Sequence, residues 1–297
     1  MKSGFAVVVG RPSSGKSTLV NTLCGHKVSI VSSVPQTTRR MVRGIVNREA
    51  GQIVFLDTPG FHLSEKEFNR NLNEMVSAAL REEPDTVLYT VDLTREPGEE
   101  EAALAGLLSR EGICPVIAFN KADAVEGSEE SAVEKYTRFF GRFWDRVSGT
   151  AVSALKNSGT EQLLGLLFAG LEEGESLYPV DYYTDQTPEF RIAEIIREKA
   201  MNRLGDELPH SIYVEVADLE CSSDNDLWIR AFICVERDSQ KGIVIGKNGE
   251  KLGSIRKAAK RELKSVFPQN ISLDLRVKVN RNWRKNSYQI KSVLDLN

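Results

Sequence analysis

The 297-residue chain is expected to fold as an α/β domain, a mainly parallel sheet with helices on both faces, followed by a smaller α+β domain. Three observations carry this expectation. Strand-like apolar runs near 5–9, 41–47, 52–56, 86–92, 115–119 and 149–153 alternate with helix-like segments near 16–24, 66–82, 99–110, 129–140 and 160–172. A glycine-bearing polar loop follows the first of these strands. Beyond residue 189 the order changes to helix (190–204), two strands (211–218, 227–237), two helices (about 241–246 and 249–267), a strand (271–280) and a last helix near 283–294. Residues 174–189, GESLYPVDYYTDQTPE, carry two prolines and no helical period. The expected division is therefore 1–173, a 174–189 linker and 190–297, with no internal repeat.

The loop after the first strand runs Gly10, Arg11, Pro12, Ser13, Ser14, Gly15, Lys16, Ser17, a GxxxxGK[ST] match, and Thr18 continues into the helix-like Thr18–Leu23 stretch. Strand, glycine loop and helix start in that order make a phosphate cradle: backbone N–H groups face the oxyanions, Lys16 neutralises the outer phosphates, and the Ser17 hydroxyl can ligate Mg²⁺. Downstream, Ile117-Ala118-Phe119 leads into Asn120-Lys121-Ala122-Asp123, an NKxD pattern. The Asp123 carboxylate can accept from the N1–H and exocyclic amine of guanine, which adenine cannot offer, so GTP is favoured over ATP. Lys121 would lie along the base, and the Ser153-Ala154 backbone could meet the guanine O6 atom.

Between these motifs, Ile53-Val54-Phe55-Leu56 delivers Asp57-Thr58-Pro59-Gly60. Asp57 is the expected Mg²⁺ partner through a water, and the Gly60 N–H would contact the γ-phosphate. Upstream, Pro35 to Arg40 supplies Thr38 as a second Mg²⁺ ligand, with Thr37 the less favoured choice. The metal set is thus Ser17, Thr38 and Asp57, and the groups expected to act in hydrolysis are Lys16, Thr38 and Gly60. Together the four motifs have the order of a P-loop GTPase switch domain. Phe61 stands where many GTPases place a water-orienting glutamine, and phenylalanine cannot hold a water by hydrogen bonding.

Composition excludes other classes. No apolar run is long enough to span a bilayer, and no basic–apolar leader is expected at the N terminus. Cys24, Cys114, Cys221 and Cys234 are scattered with no CxxC, and are expected to be buried reduced thiols. The three histidines are too dispersed for a metal cluster. The net charge of −3 conceals a division: residues 1–189 hold 19 basic and 27 acidic side chains, whereas 241–291 hold 14 basic and 3 acidic. Such segregation points to a polyanionic partner for the C-terminal part.

Within that basic stretch, Ile243, Val244, Ile245, Gly246, Lys247, Asn248, Gly249 reads as a GxxG turn between two helices, where glycine lets a sugar–phosphate backbone approach closely. The next helix puts Leu252, Ile255, Ala259, Leu263 and Val266 on one stripe, with Lys251, Arg256 and Lys257 among the cations around it. This is a KH-domain signature, which clamps about four single-stranded nucleotides. Ile243 and Ile245 are candidates for the apolar groove or for the core. Trp283 is read as a core anchor.

These motifs, with Tyr182-Tyr183-Thr184-Asp185, Arg197-Glu198-Lys199-Ala200-Met201, Gly205 to Ser211 and Val277 to Arg284, resemble over nearly the whole length the Era family. These are bacterial Ras-like GTPases of the TrmE-Era-EngA-like superfamily with a C-terminal type 2 KH domain. The resemblance implies a P-loop GTPase using GTP/GDP and Mg²⁺ and a KH domain that binds single-stranded RNA near the 3′ end of 16S rRNA. It further implies a role in 30S ribosomal subunit assembly, a cytoplasmic monomer, and peripheral association with the cytoplasmic membrane. Alternatives from other classes are a P-loop kinase or ATPase, a constitutive RNA-binding protein with a structural nucleotide, and a membrane-bound signalling GTPase.

One departure concerns the phosphate loop. Members commonly read GRPNVGKS, whereas Ser13 and Ser14 replace Asn and Val here, and that asparagine helps related GTPases hold an activating monovalent cation. We expect hydrolysis by the isolated protein to fall well below the ~10 s⁻¹ typical of enzymes, with little gain when potassium replaces sodium. A fast rate, or a large potassium effect in phosphate-release assays, would contradict these expectations.

Overall fold

In a computed structural model, the described residues are all but 33, 35, 64–66, 206–207, 223–224, 282 and 295–297. Pro35, Asp206, Glu207 and Asn282, which belong to the stretches quoted above, lie outside them. The chain divides into two compact units, residues 1–31 with 38–185, and 32–37 with 186–297.

The first unit holds a six-stranded sheet in the order β2-β3-β1-β4-β5-β6, made of β1 (Lys2–Val9), β2 (Val42–Arg48), β3 (Gly51–Asp57), β4 (Thr86–Asp92), β5 (Val116–Asn120) and β6 (Ser148–Ala151). Only β2 runs antiparallel. Because helices cover both faces, the central strands read as unbroken apolar runs: Ala6, Val7, Val8, Ile53, Val54 and Phe55 are all fully buried. One face packs on α1 (Lys16–Cys24) and α5 (Thr160–Ala169) through Leu19, Leu23, Leu163 and Leu167. The other packs on α2 (Glu67–Arg81), α3 (Glu99–Arg110) and α4 (Glu129–Phe140) through Val76, Leu80, Leu104, Leu108, Tyr136 and Phe140. All the candidate nucleotide residues follow the carboxyl ends of β1, β3, β5 and β6, where ligands of open α/β sheets bind.

Residues 174–185, expected as a plain linker, are instead pinned along the β2 side of this unit. The buried Gln52 amide accepts from the Leu177 and Tyr178 N–H groups at 2.8 and 2.9 Å and donates to the Tyr178 carbonyl at 2.8 Å. Ile45 N–H donates to the Tyr183 carbonyl, and Arg43 pairs with Asp185 at 2.9 Å. An otherwise open sheet edge is thereby covered.

The second unit holds α6 (Pro188–Met201), β7 (Tyr213–Cys221), β8 (Asp226–Val235), α7 (Asp238–Ile245), α8 (Glu250–Val266), β9 (Asn270–Val279) and α9 (Ser287–Leu294). Helix α6 opens on a Thr187 cap with proline at its first turn. The sheet order is β7-β8-β9, antiparallel then parallel. One helical layer, with Ile192, Ile196, Val244, Ile255, Ala259 and Leu263, packs on Ile229, Ala231 and Ile233. Trp283 is fully buried and donates its indole N–H to the Ser211 carbonyl at 2.9 Å, so it is the anchor its sequence context indicated.

The cysteine expectation needs correction. Cys234 is buried and Cys24 half-buried, and burial pushes both thiols up to about 12, so they stay protonated. Cys114 and Cys221 are exposed, Cys114 because it sits in the turn after α3 and ahead of β5, not within the apolar strand it precedes.

Candidate functional site

The phosphate loop owes its shape to two glycines. Gly10 has φ +150°, and a Cβ there would lie 2.3 Å from the Thr90 carbonyl; Gly15 has φ +93°, and a Cβ would lie 2.2 Å from the Asn120 amide nitrogen. No other residue lets this backbone pass so close to its neighbours. Lys16, at the start of α1, is buried and donates to the carbonyls of Gly10 (3.0 Å) and Arg11 (2.9 Å). Burial lowers its ammonium to about 8, with Asp57 and Glu100 pulling in the opposite direction. A cation held this way gains by exchanging neutral carbonyls for phosphate oxygens at a helix N-terminus.

Ser17, Thr38 and Asp57 converge. The Ser17 and Thr38 hydroxyls are 2.8 Å apart. Asp57 is fully buried, and burial pushes its carboxyl above the ordinary range against the nearby hydroxyls of Ser29 and Ser17 and the Lys16 ammonium. Neither Asp57 oxygen completes a hydrogen bond within the protein. An orphaned buried carboxylate beside two hydroxyls is an all-oxygen donor set of the kind Mg²⁺ takes, so the residues present fit the ion. Thr37, the less favoured candidate, turns its hydroxyl to the Val34 carbonyl at 2.6 Å.

The Asp57–Gly60 loop packs directly on the phosphate loop. Thr58 donates to the Val8 carbonyl at 2.7 Å, Phe61 N–H donates to the Gly10 carbonyl at 3.0 Å, and a Cβ on Gly60 would lie 2.7 Å from Pro12. The Phe61 ring packs against the core under α2 and α3. It replaces a water-orienting side chain with a packing group.

At the base end, Asn120 is buried and bridges two loops: its amide nitrogen donates to the Ser14 carbonyl at 2.9 Å, and its oxygen accepts from Ala154 N–H at 3.1 Å. Lys121 adopts φ +65° and pairs with Asp92 at 2.6 Å. Burial alone would raise the Asp92 carboxyl, but Lys121 and Thr94 outweigh it and hold it below its ordinary value. Asp123 is exposed and accepts from the Ser153 hydroxyl at 2.5 Å, leaving acceptor capacity for a base. Sequence reasoning missed Asp92, although a carboxylate at the end of a parallel strand next to the switch point was a usable signal.

In the second unit, Gly246 has φ +73° and ψ 177°, Asn248 φ +52° and Gly249 φ +78°, so the turn between α7 and α8 is left-handed at three of its four positions. A Cβ on Gly246 would lie 2.8 Å from Lys251, whereas one on Gly249 would meet open space. Ile243 is exposed, Ile245 half-buried and Val244 fully buried, so the core takes only the middle residue of the three. Lys247, Arg256 and Lys257 are exposed and Lys251 half-buried.

A phosphate loop, two switch-like loops, a guanine-reading NKxD and a KH turn define a P-loop GTPase joined to a KH domain. The family models agree: residues 5–121 match "50S ribosome-binding GTPase" and residues 207–284 match "KH domain". The chain is 47% identical to GTPase Era of Treponema denticola, covering 99% of each, and 42% identical to GTPase Era of Borreliella burgdorferi, covering 99% of this chain and 100% of that one. A solved structure of Era in complex with MgGDPNP and nucleotides 1506–1542 of 16S ribosomal RNA superposes with a TM-score of 0.93 at 32% identity, covering 99% and 98% of the two chains. A structure of an Aquifex aeolicus Era variant bound to GDP·AlF4⁻ also gives 0.93 at 32% identity, covering 99% of each chain. The chain belongs to the GTPase Era family.

Two substitutions test the nucleotide site. Because burial raises the Asp57 carboxyl, the nucleotide-free folded protein keeps a proton that the unfolded chain has released, so stability falls as pH climbs above the ordinary carboxylate range. Asp57→Asn should therefore melt higher without nucleotide at pH 7, by roughly 1–3 kcal/mol, with the gap closing at low pH, and should lose Mg²⁺-dependent stabilisation by GTP. Asp123→Asn should weaken GTP binding roughly ten- to a hundredfold and improve binding of xanthosine triphosphate; unchanged GTP affinity in titration calorimetry would contradict the assignment.

Proposed function

We propose that the protein is a GTP-hydrolysing switch that binds 16S rRNA near its 3′ end and acts in assembly of the 30S subunit. The observation that carries this reading is the match in fold over 99% of the chain, with a TM-score of 0.93 at 32% identity, to the Era captured with MgGDPNP and 16S nucleotides. The GTPase family matched by residues 5–121 is named for the 50S subunit, whereas the RNA in that Era complex belongs to the small subunit, and the likeness to Era extends over both units.

In the proposed cycle, Gly10 to Thr18 cradle the phosphates and Lys16 leaves its two carbonyls for them. Asp123, Lys121 and Asn120, with Ser153 and Ala154, hold the guanine. Ser17, Thr38 and Asp57 hold Mg²⁺, which supplies neutralisation of phosphate charge when bound. Thr38 and the Asp57–Phe61 loop order around the third phosphate, and Gly60 N–H donates to it. Turnover is slow because Phe61 offers no water-orienting group.

The RNA side uses Ile243 and Ile245 as the apolar groove, Gly246 to Gly249 as the backbone clamp, and Lys251, Arg256 and Lys257 as phosphate contacts. Coupling is supported by the way the chain is partitioned. Residues 32–37 count with the second unit, where Arg197 donates to the Thr37 carbonyl at 2.6 Å, while the next residue, Thr38, counts with the first and faces Ser17. We further infer cytoplasmic action as a monomer with peripheral contact at the membrane. The excess of cations in 241–291 supports such contact, and among the described residues no helix is long and apolar enough to cross a bilayer.

The test is fluorescence anisotropy with a short RNA matching the 16S 3′ end, at fixed salt, with a non-hydrolysable GTP analogue and with GDP. Tighter binding with the GTP analogue is expected; equal binding would reduce the protein to a constitutive RNA binder. Gly246→Asp should abolish RNA binding while leaving GTP affinity intact, since its φ and its closeness to Lys251 leave no room for a negative side chain at the clamp.

A further inference from the structure

We propose that the first turn of α3 is a two-sided brace for the nucleotide site, with Glu101 positioning the phosphate loop through Arg11 and Glu100 positioning the second switch loop through His62. This rests on the GTPase reading above, and assigns roles to Glu100, Glu101 and His62, which lie outside the nucleotide motifs.

Glu101 comes first. Its Oε1 lies 3.0 Å from Arg11 Nε, and the two side chains are only 1% and 7% exposed, so the charges are paired out of water. Its other oxygen accepts from Gly98 N–H at 2.9 Å and its backbone carbonyl accepts from the buried Tyr89 hydroxyl, while Oε1 meets Arg11 Nε as an ion pair without hydrogen-bond alignment. Arg11 is itself a phosphate-loop residue whose carbonyl is one of the two resting acceptors of Lys16. The side chain anchoring the loop to α3 and the carbonyl holding the catalytic ammonium therefore belong to one residue. Removing Glu101 would leave a buried guanidinium unpaired beneath the loop.

Glu100 faces the other way. Consecutive helical residues point about 100° apart, so one helix start can serve two loops at once. Its carboxylate contacts His62 Nδ1, two residues beyond Gly60. The His62 backbone is also clamped on both sides by the Asn73 amide of α2, at 3.1 and 2.8 Å. Glu100 is close enough to Lys16 to stabilise its charged form. Acidic residues are favoured in any first helical turn by the helix dipole alone. That bland role accounts for neither partner, because Arg11 and His62 are side chains of the two loops that meet the phosphates.

The two arms give crossed expectations in the full-length protein, read by fluorescent guanine-nucleotide binding and by single-turnover GTP hydrolysis. Glutamine still caps at position 101, so Glu101→Gln should weaken GDP and the GTP analogue by the same factor, at least about tenfold, with a much smaller change in the hydrolytic step. Glu100→Gln should leave GDP affinity within error and slow hydrolysis by about ten- to a hundredfold, as misplacement of a loop by about 1 Å does. Should Glu101→Gln fold poorly, Arg11→Met must reproduce the loss of affinity, and Arg11→Met with Glu101→Gln must add nothing to it. Silence of both arms, or both variants losing affinity and rate in parallel with thermal stability, would overturn the brace. Wild-type protein that bound no guanine nucleotide would overturn the GTPase reading beneath it, a separate and immediately visible result.

Discussion

The side chain of Asn120 is the constraint around which the nucleotide unit is arranged. It is buried at the end of β5, and its two ends hold the Ser14 carbonyl and the Ala154 N–H. One amide thus fixes the phosphate loop to the base-reading loop, two segments 140 residues apart in sequence. The register follows from strand geometry: β1, β4, β5 and β6 are parallel neighbours, so their carboxyl ends bring all these loops to one edge of the sheet. Gly15 is forced by the same contact, since any side chain there would strike the Asn120 amide. A buried amide with both ends satisfied is stabilising, whereas one left half-satisfied costs more than an apolar replacement. This explains why so small a group can specify the relation of three loops.

Charge in this unit is stored in an uncomfortable state. Lys16 and Asp57 are both buried, and each is driven towards its neutral form, the ammonium down and the carboxyl up. Neutral carbonyls hold the first, and nothing in the protein completes the second. Ligands carrying opposite charges therefore relieve strain that folding alone imposes. A nucleotide with its cation, bound there, would offset the cost of that burial by mass action.

Much of the fold and most of the nucleotide site were legible in the sequence, because their signals are local. Gly10 and Gly15 mark backbone that no other residue could follow, the runs before Gly10, Asp57 and Asn120 are too apolar to be anything but covered strands, and Ile243 to Gly249 carries its turn in its glycines. What was not legible depends on long-range packing. Nothing near Gln52 in sequence indicates that its amide would pin residues 177 and 178. The Arg11–Glu101 pair spans 90 positions, and the acidic run at 99–101 reads on its own as a dipole-favoured helix start. Cys114 looked apolar because Ile113 and Val116 flank it, yet a turn sets it outside. Phe61 offers no group to hold a water, and its packing role, closing the core beside α2 and α3, appears only in the packed structure.

The partition of the first switch segment bears on how such a protein could join two binding events. Val34 packs on the core of the second unit, Ser32 donates to Asn202 at 2.9 Å, and Arg197, itself locked by Glu194 on two bonds, holds the Thr37 carbonyl. One peptide bond later, Thr38 faces Ser17 and the Asp57 carboxylate's surroundings. A single backbone link therefore separates Thr37, held by Arg197 of α6, from Thr38, expected to ligate the metal. The peptide unit between them is planar and fixes their Cα separation, so a displacement of Thr38 is either passed to Thr37 or absorbed in the φ and ψ torsions of these two residues. The same link works in reverse, since any coupling free energy between two ligands is shared equally by both. Long flexible linkers could not do this. Residues 174–185, the obvious connector in the sequence, are tied to the first unit along their length and offer little freedom to carry a signal. The short segment at 32–37 is anchored at both ends by named contacts, Ser32 to Asn202 and Thr37 to Arg197, and the expected metal ligand is the very next residue.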